Sequence, residues 1–221
     1  MDVYLEVGSK KTFAGAVEWA GWCRSGRDAA AALQALLLYA GRYQGVLQGT
    51  GLVLAAPADV ESLTIVQRLA GNSTTDFGAP AVALPGDAEP MDEAELKRAL
   101  AILGACWRAL DSAAKLARGR ELRKGPRGGG RELDGILRHV LGGEAGYLAS
   151  LGWKFKEAAG ADLDRELQRT RQAIRQGLAA AGRGELAERG PRGGRRWPAR
   201  YYVRRAAWHV LDHAWEIEDR L

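Results

Sequence analysis

The sequence predicts an α+β N-terminal domain followed by an all-α antiparallel four-helix bundle. Three observations carry this reading. Before about residue 84 the apolar positions come in short alternating or β-rich runs; after about residue 91 they recur at helical spacing. Between the two lie Gly71-Asn-Ser-Thr-Thr-Asp-Phe-Gly-Ala-Pro80 and Leu84-Pro-Gly-Asp-Ala-Glu-Pro90, whose Gly, Pro, Asn and Ser interrupt helix and strand alike. The charge changes at the same place. Residues 1–90 carry 6 basic and 9 acidic side chains and residues 91–221 carry 26 and 18, so a net of −3 gives way to +8. The boundary therefore falls between 84 and 91, with domains 1–86 and 87–221.

In the first domain Val3–Val7 alternates and reads as a strand, with Lys11–Glu18 as its partner across a turn at Gly8-Ser-Lys. Gly21-Trp-Cys-Arg-Ser-Gly26 reads as a loop. Asp28 then caps an Ala- and Leu-rich helix that ends near Arg42. Leu52–Ala55 and Ser62–Leu69 are expected as two further strands, and the whole is of α+β type.

Four amphipathic helices are expected in the second domain. Asp92-x-x-Glu95 is a capping-box signature, and Leu96, Leu100, Leu103, Trp107 and Leu110 follow at helical spacing in a helix reaching Leu116. A second helix spans Arg131 to Ser150, and a third starts near Asp162 with Leu163, Leu167, Ile174 and Leu178 on one stripe. The fourth begins with Pro198 in its first position and runs close to Leu221. Four amphipathic helices with no strand signal between them argue for an antiparallel bundle, and in an up-down-up-down path the second and fourth helices run parallel. Two similar breaks, Gly125-Pro-Arg-Gly-Gly129 and Gly190-Pro-Arg-Gly-Gly194, would then lie at one end.

Composition excludes several classes of protein. With 47% apolar and 27% charged residues the chain buries a core rather than staying disordered. Cys23 and Cys106 are far apart, which argues against a disulfide framework or a Cys-built zinc site and fits a reducing compartment. The longest apolar run, Ala29–Ala40, is too short to span a membrane and is broken by Gln34. The N-terminus lacks the basic and apolar regions of a signal peptide, so a soluble cytoplasmic protein is expected.

The three histidines are the candidate chemistry. His139 lies ~12 Å into the second helix, and His209 and His213 lie ~17 and ~23 Å into the fourth, at 1.5 Å per residue. His209-Val-Leu-Asp-His213 is an i, i+4 pair whose imidazoles share one face. Gly135, Gly143 and Gly146 on the face of His139 suggest space kept open there. Three neutral imidazoles would hold a divalent metal with coordination positions left for water or substrate. The plainer alternative is a set of half-exposed side chains with no ligand. Glu216 and Tyr202 fall near the same stripe, and Asp212 and Glu216 are candidates for orienting the imidazoles.

Two stretches resemble known families. Phe13-Ala-Gly-Ala-Val-Glu-Trp-Ala-Gly-Trp-Cys-Arg-Ser-Gly-Arg-Asp28 leading into a helix resembles the HicB-like antitoxin fold, over about 40 residues. Ile136-Leu-Arg-His139-Val-Leu-Gly-Gly-Glu144-Ala-Gly-Tyr147 and His209-Val-Leu-Asp-His213 resemble the second and fourth helices of the DinB/YfiT-like superfamily, over about residues 91–221. That resemblance implies a four-helix bundle with a divalent metal, usually nickel, zinc or a similar ion, on His139, His209 and His213. It also implies a metal-dependent transferase or isomerase working with a low-molecular-weight thiol. The fourth helix departs from the family by continuing Ala-Trp-Glu-Ile-Glu-Asp, which leaves the ligands intact and the substrate open.

The expected loop end is cationic. Arg118, Arg120, Arg123, Lys124, Arg127 and Arg131 surround the first Gly-rich break, and Arg189, Arg192, Arg195, Arg196 and Arg200 the second. Arg127, Arg131, Arg196 and Tyr202 are the candidates for binding an anionic substrate, such as the carboxylates of a peptide-like thiol. A solvated basic surface is the alternative, and 25 Arg against 7 Lys favours it. The other functional class is a non-enzymatic binding module for nucleic acid or a protein partner. No helix-turn-helix or RNP-like motif is readable, which disfavours nucleic acid. Assembly as a homodimer is open.

Overall fold

The computed structural model describes residues 1–124, 130–156, 158, 160–190 and 193–221. The fold is of mixed α+β class, with a four-stranded sheet near the N-terminus followed by helices. Strands β1 (Asp2–Val7), β2 (Thr12–Ala16), β3 (Cys23–Gly26) and β4 (Thr64–Ala70) lie in the order β3-β2-β1-β4. β1 pairs antiparallel with β2, β2 antiparallel with β3, and β1 parallel with β4. The expected hairpin and last strand thus form. Cys23–Gly26, expected as a loop, is an edge strand, because Trp22 and Cys23 are drawn into the core and carry the following backbone onto β2. Leu52–Ala55, expected as a strand, has no ladder; the Leu54 carbonyl accepts from Gln44 Nε2 at 3.0 Å instead, and Val53 points to solvent.

Asp28 caps as expected, accepting from Ala31 N–H at 2.8 Å, but the helix breaks at Tyr39 into α1 (Ala29–Leu38) and α2 (Ala40–Val46). The Gly71–Pro80 stretch, expected as a loop, holds one short helix, α3 (Ser73–Phe77), started by a capping box between Asn72 and Thr75. Glu6 explains why this segment settles on the sheet. Its side chain is 0% exposed and accepts from the Thr75 hydroxyl at 2.5 Å and from Ala81 N–H at 2.9 Å and Val82 N–H at 3.1 Å. A buried carboxylate is tolerable only with its lone pairs answered in this way.

Four long helices follow: α4 (Glu93–Ala117), α5 (Leu133–Leu151), α6 (Leu163–Gly182) and α7 (Ala199–Arg220). Asp92 and Glu95 form the expected capping box, and Asp162 caps α6. Pro198 is the N-cap of α7 rather than its first helical residue. Among the described residues no helix is long and apolar enough to cross a membrane.

The helix directions correct the expected up-down-up-down path. Trp197 N–H donates to the Ser150 carbonyl at 3.0 Å, and Arg220 Nη1 donates to the Arg131 carbonyl at 2.8 Å. The start of α7 therefore meets the end of α5, and the two run antiparallel. α4 runs with α7, since Arg200 pairs with Glu95 at one end and Arg123 N–H bonds the Arg220 carbonyl at the other. α6 opposes α4: Arg118 pairs with Asp164, and Gly182 lies against Leu96. Residues 152–162 join α5 to α6, which run in the same direction. Eleven extended residues reach ~36 Å, enough to return along a helix of ~28 Å, so the assumption that each connection joins adjacent antiparallel helices fails. The first Gly-rich break, 125–129, lies outside the described residues, as do residues 191 and 192 of the second.

The N-terminal layer and the helices share one core. Val3, Leu5, Ala14, Trp22, Leu36 and Tyr43 pack in the same cluster as Leu103, Leu110, Val210 and Leu211. Arg24 pairs with Asp212 at 3.0 Å and Arg42 with Glu218 and Asp219. Gly21, at φ 92°, approaches Ala207 of α7 so closely that a Cβ would lie 3.0 Å from the Ala207 methyl. Glu6→Ala should strand the Ala81 and Val82 N–H groups and destabilise the fold by roughly 2–4 kcal/mol. Chemical denaturation of the two proteins side by side measures this.

Candidate metal centre

α5 and α7 bring the three histidines together. Their candidate ligand atoms all lie within 4.8 Å of one another. The His209 and His139 Nε2 atoms are 3.2 Å apart, and the ring centroids are separated by 4.8–5.0 Å. His209 and His213 are 6% and 8% exposed, while His139 is partly open to solvent. The meeting works in the antiparallel arrangement because the ends at Arg131 and Arg220 are bonded, and His139 lies eight residues from the first and His213 seven from the second.

The donor set suits a small divalent cation. Metal–nitrogen bonds of 2.0–2.1 Å at tetrahedral angles separate two nitrogens by ~3.3 Å. The observed 3.2 Å between the Nε2 atoms of His139 and His209 matches one such edge. The remaining separations need to close by at most ~1.5 Å, within the reach of ring rotation. Burial pushes the His209 imidazolium down to about 2, helped by its two histidine neighbours and by Arg205 and Arg131. Burial and the neighbouring His213 lower His139 as well. Both rings thus stay neutral, with lone pairs for a cation.

Glu216 reaches His213 and Arg220. Its Oε2 lies 2.7 Å from His213 Nδ1, and its Oε1 accepts from Arg220 at 3.0 Å. An acceptor on Nδ1 leaves Nε2 of His213 free to face the other two rings. Asp212 does not do this. It pairs with Arg24 and joins α7 to the sheet layer.

The anion-binding candidates scatter. Arg131 lies near the triad, and its charge acts on His139 and His209. Arg196 is at the other end of α5, beside Gly152, in a cleft of 810 Å³ lined also by Leu151, Leu186 and Trp197. Tyr202 is fully buried with no partner for its hydroxyl, next to Glu144 and Tyr147, so it is a core residue and not a rim ligand. Arg127 lies outside the described residues.

The glycines of α5 are not uniformly a space reserve. A Cβ at Gly143 would stand 2.5 Å from His209 Cε1, so Gly143 permits ring contact rather than an open void. Gly146 does face open space, and Gly135 packs on the Arg131 side chain. Three further groups escaped the sequence reading. Tyr147 sets its ring 5.5 Å from that of His209, and Arg205 stacks between Tyr147 and Trp208. Glu144 is buried and accepts from Trp107 Nε1 at 2.5 Å, and burial pushes its carboxyl up to about 7. The signal for Arg205 was present: Arg205, His209 and His213 repeat every four residues. Both cysteines are buried and their thiols are pushed up by burial, Cys23 to about 12, so neither serves as a nucleophile near neutral pH.

A depressed imidazole stabilises the fold above its ordinary value of 6.5, and that stability is lost as pH falls below it. Wild-type protein freed of metal should therefore lose melting temperature relative to His209→Ala as pH drops from 7.5 to 5. Parallel thermal melts of the two across that range measure the difference, and a constant offset would contradict it.

Comparison of the chain with models of known protein families, with curated proteins and with solved structures finds no match.

Proposed function

We propose that the protein is a divalent-metal-binding protein of DinB/YfiT-like type. In this reading the four long helices form a four-helix bundle, and His139, His209 and His213 hold the ion. The observation that supports it best is the convergence of the chain's only three histidines within 4.8 Å, on two different helices. The activity proposed is transfer of a low-molecular-weight thiol. When bound, the ion supplies Lewis acidity that keeps such a thiol ionised near neutral pH. The chain's own residues set the conditions. Glu216 holds His213 in one orientation, burial keeps His209 unprotonated, and the partly exposed His139 marks the side from which a small molecule enters. The N-terminal layer, read as HicB-like, braces α7 from behind through Arg24–Asp212 and the Trp22 cluster.

A non-enzymatic binding module is the second reading, and one observation favours it. A cleft of 510 Å³ between α4 and α6 is lined by Arg108, Arg165, Arg169, Arg171 and Arg175, against a single carboxylate, Asp111. Such a groove fits a phosphate backbone.

Elemental analysis of purified protein should find about one divalent ion per chain, and the His209→Ala, His213→Ala double variant should lose most of it. Equal content in the two would remove the ligand assignment. For the second reading, binding to random DNA should weaken by at least ~10-fold between 50 and 200 mM salt; no binding at low salt removes it.

A further inference from the structure

We propose that Arg205 is the anchor for a carboxylate on the small molecule that binds beside the histidine triad. The inference rests on the metal reading above and names the chemical class of its ligand: a small anion with one metal-ligating atom and a separate carboxylate.

Arg205 precedes His209 by one helical turn, so the two share a face of α7 with His213. Its guanidinium carbon is 4.7 Å from the Trp208 ring centre and 5.3 Å from that of Tyr147, and the Tyr147 ring is 5.5 Å from His209. Stacking covers the faces of a guanidinium but leaves its in-plane N–H donors unanswered. Nη1 of Arg205 is buried and has no acceptor. Arg204 and Arg220 also leave one buried nitrogen without a partner, but each is held by an ion pair, Arg204 with Asp87 and Arg220 with Glu216, as Arg24 is with Asp212. Among the described residues Arg205 makes no ion pair. A buried charged donor without an acceptor is unfavourable unless a ligand supplies one.

Charge balance leads to the same ligand. The three imidazoles are neutral donors, so nothing in the set offsets a divalent cation. Arg205 and Arg131 add positive charge nearby, and the carboxylate of Glu216 is already matched by Arg220. An anion whose carboxylate meets the Arg205 fork while its other end reaches the cation neutralises the excess and satisfies the buried Nη1.

The test uses full-length protein loaded with cobalt(II), whose thiolate charge-transfer absorption reports ligand binding directly. Wild type and Arg205→Gln are titrated with 3-mercaptopropionate and with uncharged 2-mercaptoethanol. Wild type should prefer the carboxylate-bearing thiol by ~10-fold or more, and Arg205→Gln should lose that preference while binding 2-mercaptoethanol as wild type does. Arg205→Lys, which keeps the charge without the planar fork, should retain part of it, and carries the comparison if the Gln variant fails to take up cobalt. An equal preference in wild type and variants overturns the anchor alone. Failure of wild type to take up cobalt overturns the metal reading and the anchor with it.

Discussion

Everything else in this molecule depends on the burial of α7 on nearly all sides. Tyr202, Ala207, Val210, Leu211, Ala214 and Ile217 are inaccessible to solvent or almost so, and they belong to different faces of the helix. α4 covers one side, α5 another, and the sheet layer a third, where Gly21 lets the backbone reach Ala207 and Phe13 meets Trp208 edge-on at 6.0 Å between ring centres. A helix held in this way cannot rotate, and its side chains are presented at fixed angles. The N-terminal layer is part of that constraint, because its apolar residues and those of the helices form one continuous cluster.

The histidine triad follows from this immobilisation. His209 and His213 are two positions of α7 pressed towards α5, and Gly143 lets α5 come close enough for ring contact. Burial and the nearby positive charge of Arg131 keep His209 and His139 neutral. Where a cation is added, the surplus of positive charge demands an anion. This is the physical link between the ligand set and the class of molecule proposed for it.

Local chemistry was legible in the sequence because it depends on neighbours along the chain. Asp28 and Asp92 read as N-caps from one residue and the pattern after it, and the start of α6 near Asp162 from the stripe that follows. The pairing of His209 with His213 follows from helical spacing, and Glu216 lies within one turn of His213. The edge strand Cys23–Gly26 was not legible, since its stability comes from Trp22 entering a core built by distant residues. Tyr202 shares a stripe with His209, yet a stripe does not say which helix covers each turn, and it proved fully buried.

The sequence by itself determined the α+β character, the long helices and the identity of three residues able to hold a metal. These follow from periodicity, capping chemistry and the scarcity of histidine. Only the tertiary structure decided that α5 and α7 oppose one another, that α5 and α6 run in the same direction, and that Arg205 stands beside Tyr147 and the triad. The reason is that helix direction is set by where a connection returns the chain. An 11-residue segment has the reach to join either end, so packing of the apolar faces makes the choice.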